Sequence, residues 1–199
     1  MRIAIVGGSG DFGRGLGERL RLLGHDVLLG SRRPVGDLMS NEEACSHAEV
    51  AVLSVPPDAV EASAASVADA LAGKVVVSVA SPVVFRDEQP TAEVGPVSLA
   101  ELAQRALPES TVVAGFHTVS ARALARVDEP LPEDVLLCGD DAEAKDMVAS
   151  LAADVVDGRA VDVGPLRVAR WLEPFAVVLL HVNRRYKAQS GVRVTGLDA

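Results

Sequence analysis

Gly8-Ser9-Gly10-Asp11-Phe12-Gly13 satisfies G-x-G-x-x-G directly behind the apolar run Ile3 to Val6. In such a turn the early glycines permit a tight reversal and let backbone amides approach a pyrophosphate. The last glycine lets a following helix pack closely on the sheet, with its N-terminus facing the anion. A bare glycine turn can show the same pattern. A strand before it and a helix after it, as here, are the context a dinucleotide site requires. Gly8, Ser9, Gly10, Asp11 and Phe12 are therefore expected to bind a dinucleotide.

The end of the second apolar run chooses between cofactors. An NAD site usually places Asp or Glu there to bind the ribose hydroxyls. This chain reads Leu28-Leu29-Gly30-Ser31-Arg32-Arg33, without a carboxylate. Two guanidiniums can hold a 2′-phosphate through charge-assisted bonds, and Ser31 can donate a further one. The reading is NADP, held by Ser31, Arg32 and Arg33; a solvated basic turn is the plainer alternative.

Ligands of doubly wound sheets lie outside the carboxyl ends of the strands. That rule selects Ser54, Val55 and Pro56, then Ala80, Ser81 and Pro82, and finally His117, Thr118 and Val119. Of these, Val55, Pro56, Ser81 and Val119 are expected at the cofactor and His117 at the reacting centre. Three readings of His117 stand: a general base, a group that shapes or hydrogen-bonds a ring ligand, or a loop histidine without a role. The sequence offers it no clear acid partner.

The stretch from His181 to Leu197 holds no acidic residue and carries Arg184, Arg185, Lys187 and Arg193, in a chain of net charge −9. A basic patch on an acidic protein suits a specific anionic ligand. Positive charges that complement a helix C-terminus would look the same.

The elements that must position these residues follow from patterning. Buried strands are expected at Ile3 to Val6, Val27 to Leu29, Val50 to Val55, Val75 to Val79 and Val112 to Phe116. Amphipathic helices are expected at Gly10 to Leu23, Asp58 to Leu71 and Ser98 to Leu107. Such alternation indicates a parallel sheet covered on both faces. Further on, a strand is expected at Val135 to Cys138, a helix at Ala142 to Leu151 opened by Asp140-Asp141, and a strand at Ala160 to Val163. One long helix, with Pro174 as its candidate break, should cover Arg167 to Arg185. Pro82 to Pro96, with three prolines, reads as a surface loop beside the sheet's carboxyl edge. The fold class is thus α/β: a Rossmann-type doubly wound parallel sheet over residues 1–165, then a small C-terminal helical segment, 166–199.

Composition excludes other classes. With 49% apolar and 24% charged residues among 199, the chain is an ordinary globular domain. Nineteen basic against 28 acidic residues is the wrong sign for a duplex binder, and 3% aromatic content is too little for a stacking platform. Cys45 and Cys138 form no CxxC pair and read as buried thiols of a reducing cytoplasm, with no metal site or disulfide expected. No targeting or membrane-spanning segment is read from the sequence, so a soluble cytoplasmic protein is expected. Trp171 to Val182 carries too many large apolar residues to be wholly exposed, so it completes the core or pairs with a second copy in a homodimer.

Several blocks together resemble coenzyme F420-dependent NADP reductases: Met1-Arg2-Ile3-Ala4-Ile5-Val6-Gly7-Gly8-Ser9-Gly10, Gly30-Ser31-Arg32-Arg33, Gly115-Phe116-His117-Thr118-Val119, Val135-Leu136-Leu137-Cys138-Gly139-Asp140-Asp141 and Asp162-Val163-Gly164-Pro165-Leu166. They occur in the family's order and span nearly the whole chain. The resemblance implies reversible hydride transfer between NADP(H) and the deazaflavin ring of coenzyme F420. It implies that Ser9, Gly10, Asp11, Phe12, Ser31 and Arg32 hold NADP. His117 and Val119 would line the deazaflavin side, and the C-terminal segment would close it. Two places depart from the family pattern. Pro34 to Ala44 is short, so the helix after the second strand should be trimmed or missing, leaving Arg33 to replace a lost basic residue. Ser81 to Pro96 has no counterpart in the pattern. Two rivals remain at this level: an NADP-dependent dehydrogenase of the prephenate or hydroxyacid type, with His117 as its base, and a non-catalytic NADP(H)-sensing module.

Overall fold

Ile3, Ala4, Ile5 and Val6 have no solvent exposure, as a strand covered on both faces requires. The computed structural model describes residues 1–197; Asp198 and Ala199, the end of the segment expected at 166–199, lie outside them. Ten strands alternate with helices along the chain. The strands are β1 (Arg2–Val6), β2 (Asp26–Ser31), β3 (Met39–Ser40), β4 (Val50–Leu53), β5 (Val75–Ser78), β6 (Val83–Arg86), β7 (Gln89–Ala92), β8 (Thr111–Gly115), β9 (Val135–Gly139) and β10 (Ala160–Asp162). The helices are α1 (Asp11–Leu22), α2 (Asn41–His47), α3 (Val60–Ala65), α4 (Ala68–Leu71), α5 (Leu99–Ala106), α6 (Ala121–Leu124), α7 (Ala142–Val155), α8 (Ala169–Leu172) and α9 (Phe175–Tyr186).

Eight strands form one sheet in the order β10-β9-β8-β5-β4-β1-β2-β3. From β3 to β8 every pairing is parallel, so the order reverses at β1 in the doubly wound manner. Helices α2 to α5 and α8 cover one face, packing Ala44, Val60, Leu71, Ala103 and Leu172 against Ala4, Leu53 and Val76. Helices α1, α6 and α7 cover the other, with Leu16, Leu20, Leu124 and Leu151 against Ile5, Val52 and Val113. Asp141 opens α7 as expected, accepting a bond from the Ala144 amide at 2.8 Å.

Several elements differ from the expectation. The sheet is not wholly parallel, because β9 runs antiparallel to β8. Only 19 residues separate β8 from β9, with a single turn of helix between them, and that segment does not return to the start of the sheet. Pro82 to Pro96 is not merely a loop: β6 and β7 form an antiparallel hairpin, turned by Asp87 and Glu88 at positive φ. The helix expected at 58–71 is a 3-10 turn followed by α3 and α4, since Ser66 and Val67 interrupt it. The helix after β2 is short but present, as α2 behind the two-residue strand β3. The long C-terminal helix is a 3-10 turn (Leu166–Val168), α8 and α9, with Pro174 at the start of α9 where the expected break lay.

Candidate functional site

Strand register aligns the candidate residues. Gly30 pairs with Val6, Val6 with Leu53, Leu53 with Ser78 and Ser78 with Ala114. The residues following this row are Ser31, Gly7, Ser54, Val79 and Gly115, so all the candidate segments leave the sheet at one edge.

At the centre, Gly7 stands at φ +82, and a Cβ there would lie 2.2 Å from the Ser54 carbonyl oxygen. The Gly8 amide donates to the carbonyls of Ile5 at 3.1 Å and Gly30 at 2.8 Å, fixing the turn against β2. A Cβ on Gly13 would press on the Gly7 oxygen and on Ile5, each at 3.1 Å, which is why the start of α1 can lie so close to β1. Gly10, by contrast, is exposed with its nearest atom at 3.5 Å, and it precedes α1 without a side-chain cap. The amides of Asp11, Phe12 and Gly13 have no backbone acceptor within the helix, so they are free for an anion. Ser9 and Asp11 are exposed beside them, and Phe12 is half-buried against the core.

At the end of β2, Ser31 is buried, and its hydroxyl accepts from the Arg33 amide at 3.1 Å in a local turn. Arg32 and Arg33 project into solvent, and neither side chain meets an acidic partner among the described residues. Gly30 leaves room for α2: a Cβ there would meet Asn41 Oδ1 at 2.7 Å. The shortened segment thus brings β3 and α2 directly against the Ser31 turn.

On the other side of β1, Ser54, Val55 and Ser81 are half-buried and Pro56 is exposed. Strand β8 ends at Phe116, a fully buried residue at φ +65, whose carbonyl accepts from the Val119 amide at 3.0 Å. A non-glycine residue in this region costs about 1–3 kcal/mol and is held there by its surroundings. The turn buries His117 (5% exposed), Thr118 (2%) and Val119 (6%). Neither His117 nitrogen has a hydrogen-bond partner, and the hydroxyls of Thr118 and of Ser78 on β5 are likewise unpartnered. Burial pushes the imidazole down to about 4; the Ala80 backbone, near the ring but outside hydrogen-bond geometry, offsets part of this, and the ring is neutral at pH 7. Such unsatisfied polar atoms are costly in a folded interior and mark a place where a ligand can supply the missing bonds.

Sequence reasoning missed four buried charged residues, Arg19, Glu133, Asp134 and Glu173. Arg19 on α1 sends its guanidinium to the carbonyls of Arg126 at 2.7 Å and Glu129 at 3.0 Å, tying α1 to the segment that follows the His117 turn. Glu173 accepts from the amides of Leu99 and Ala100, both at 2.8 Å. Asp134 accepts from the amides of Arg159 and Val194, both at 2.8 Å, and pairs with the Arg159 guanidinium at 2.9 Å. Their only sequence signal is a charge beside apolar positions, which exposed helix ends share. Of the basic tail, Arg184 donates to the Glu88 carbonyl and Arg193 to that of Pro132 at 2.6 Å, so both brace the protein itself. Arg185 and Lys187 are exposed.

Comparison with known proteins agrees with this geometry. Residues 2–82 match the family described as NADP oxidoreductase, coenzyme F420-dependent. The F420-dependent NADP reductase of Methanocaldococcus jannaschii is 33% identical over 223 aligned positions, covering all of both chains. That of Methanothermobacter marburgensis is 34% identical over 222 positions, covering 99% of each. Both alignments exceed the chain's own 199 residues, so they contain gaps, as its shortened segments require. A solved structure of a provisionally assigned F420-dependent NADP reductase from Arthrobacter sp. FB24 superposes with a TM-score of 0.86 at 27% identity, covering 98% of this chain and 99% of that one. The chain belongs to the family of F420-dependent NADP reductases.

Proposed function

We propose that this protein transfers a hydride reversibly between NADP(H) and coenzyme F420. The observation that carries the reading is full-length membership of the family, joined to a nucleotide turn that ends in Ser31-Arg32-Arg33 without a carboxylate. When bound, NADPH supplies a hydride, which F420 takes up together with a proton.

The chain's own residues supply binding and exclusion of water. The amides of Asp11, Phe12 and Gly13, with Ser9 and Gly10 beside them, receive the pyrophosphate. Arg32 and Arg33 neutralise the 2′-phosphate, and Ser31 orders their turn. Val55, Pro56 and Ser81 border the nucleotide along the edge. Val119 offers an apolar wall, and His117 offers a neutral imidazole whose free nitrogens can bond a ring edge. Its lowered basicity and lack of a carboxylate partner favour this role over that of a general base. The division into a nucleotide domain, 1–165, and a C-terminal segment from 166 follows the same reading, with α8 and α9 completing the second-substrate site.

The functional unit is a homodimer and works in the cytoplasm. Helix α9 has no buried residue although it contains Phe175, Val177, Val178, Leu179 and Leu180, and a second copy would cover it. The two unpaired, buried cysteines suit a reducing compartment. No helix among the described residues is long and apolar enough to cross a membrane.

The test is anaerobic mixing of purified protein with NADPH and oxidised F420, following loss of the deazaflavin's visible absorbance. Rapid bleaching that fails with NADH is the expected result. Binding of NADPH without bleaching would overturn the assignment of F420.

A further inference from the structure

Helix α9 is suspended between two buried carboxylates. Helix α5 leads into the start of β8, so its N-terminus lies at the carboxyl edge of the sheet, and there Glu173 accepts from the amides of Leu99 and Ala100. Strand β9 runs antiparallel to β8, so Asp134, just before it, lies at the same edge. Asp134 has no exposure and holds the chain beyond α9 through the Val194 amide, while its own amide donates to the Val192 carbonyl at 2.7 Å. The segment therefore leaves the face covered by α5 and α8, crosses the carboxyl edge as α9, and is fastened again near α6, where Arg126 bonds Gln189. Between these anchors α9 rests mainly on β7 and α8, through the His181 imidazole on the Pro90 carbonyl at 3.0 Å and Arg184 on that of Glu88.

A helix with no fully buried residue depends strongly on its ends. The two ends differ: Asp134 is clasped by amides and a guanidinium, whereas Glu173 has two amides and no cation. The titratable or charged groups on the elements around Glu173 are Glu101 and Arg105 on α5, Arg167 and Arg170 at and before α8, and Cys138 on β9. Helix α9 adds none before His181.

We propose that Glu173 is a positioning residue for the second substrate: its bonds to the head of α5 latch α9 over the carboxyl edge, and loss of these bonds frees α9 to swing from its anchor at Asp134. The proposal rests on the reading that α8 and α9 complete the second-substrate site. An ionised carboxylate accepts both amides, whereas a protonated one loses acceptor strength at one oxygen. Burial, with Glu101 nearby, pushes Glu173 up to about 7, against the two amide bonds that pull it down. Released from burial the carboxyl returns to its ordinary range, so the latched state binds more protons and the latch loosens as pH rises through neutrality.

Three measurements on the full chain test this. In E173Q, KM for F420 should rise about five- to twentyfold, while kcat and KM for NADPH stay within about twofold, an effect of one charged hydrogen bond made neutral. Hydrogen exchange in E173Q at pH 8, read by mass spectrometry, should quicken at least tenfold across 175–186 and leave β1 and β4 unchanged. The wild-type protein should show quickening across 175–186 between pH 6 and pH 8 after correction for intrinsic exchange, a test that needs no variant to fold. An unchanged KM for F420 together with unchanged exchange across 175–186 overturns the latch while leaving the F420 reading intact. Absence of F420 turnover in the wild type overturns that reading, and exchange then decides the latch by itself.

Discussion

The carbonyl oxygen of Ser54 lies 2.2 Å from where a Cβ on Gly7 would have to go. This contact joins the turn after β1 to the end of β4 across the point where the strand order reverses. Gly7→Ala must both adopt an unfavourable positive φ and displace backbone that has nowhere to move. We expect a loss of about 2–5 kcal/mol, the sum of left-handed strain and overpacking. Gly10→Ala is the contrasting control, because nothing in the protein obstructs its Cβ. It should stay within about 1 kcal/mol of wild type in urea denaturation yet bind NADPH at least tenfold more weakly, since the methyl would stand where the pyrophosphate is proposed to approach. Equal effects of both changes on stability would show that the turn is only structural.

With no carboxylate at the end of β2 to compete for the ribose, the choice of cofactor is the role proposed for Arg32 and Arg33. Arg32→Ala should raise KM for NADPH by about 10–100-fold, the value of one charge-assisted bond of about 1.5–3 kcal/mol. KM for NADH should barely change. Arg33→Ala should act in the same direction, and the double variant should lose most of the preference. The effect should shrink as salt rises, because both side chains are exposed. A parallel loss with NADH would remove these residues from the 2′-phosphate.

The parts legible in the sequence were those encoded locally. Ile3 to Val6 is apolar without alternation because both faces are covered, and the glycine turn is readable because only glycine tolerates the backbone at Gly7. The residues at the strand ends follow once the sheet order is assumed. The reversed direction of β9 was not legible, since Val135 to Cys138 has the same apolar run in either orientation. Nor was the hairpin β6–β7, whose turn uses Asp87 and Glu88 at positive φ in place of glycine. Glu173, Asp134 and Arg19 find their partners more than twenty residues away, so their burial is a property of the assembled fold and no local pattern announces it.

His117 and Glu173 make opposite contributions to the pH dependence of stability. The imidazole sits near 4 in the folded protein against an ordinary 6.5. The unfolded chain therefore binds more protons between these values, and stability is lost as pH falls from 6.5 towards 4. The Glu173 carboxyl sits near 7 against an ordinary 4.5, so the folded protein binds more protons there and stability is lost as pH rises from 4.5 to 7. Each is worth on the order of 3 kcal/mol at full extent, so the wild type should be nearly flat between pH 5 and 6.5. His117→Asn should gain stability relative to wild type as pH falls, and E173Q should lose it. Urea midpoints at pH 7.5, 6 and 5 that move in parallel for all three proteins would refute this. His117→Asn should also retain turnover within about 100-fold, whereas removal of a general base costs about 10²–10⁴-fold.

Helix α9 tests the homodimer. Val178 is 51% exposed and Phe175 37%, on a helix in which the single chain fully buries no residue. If a second copy packs there, Val178→Glu places an unpaired carboxylate in an apolar seam, which costs about 3–5 kcal/mol and weakens association at least 100-fold. Sedimentation should then show a dimer for the wild type and a monomer for the variant at micromolar concentration. Because Val178 lies in no core of the single chain, the monomer's urea midpoint should hold, which separates a lost interface from a lost fold. A wild type that sediments as a monomer across this range would leave α9 to be covered by the second substrate alone. In that case Val178→Glu should instead raise KM for F420.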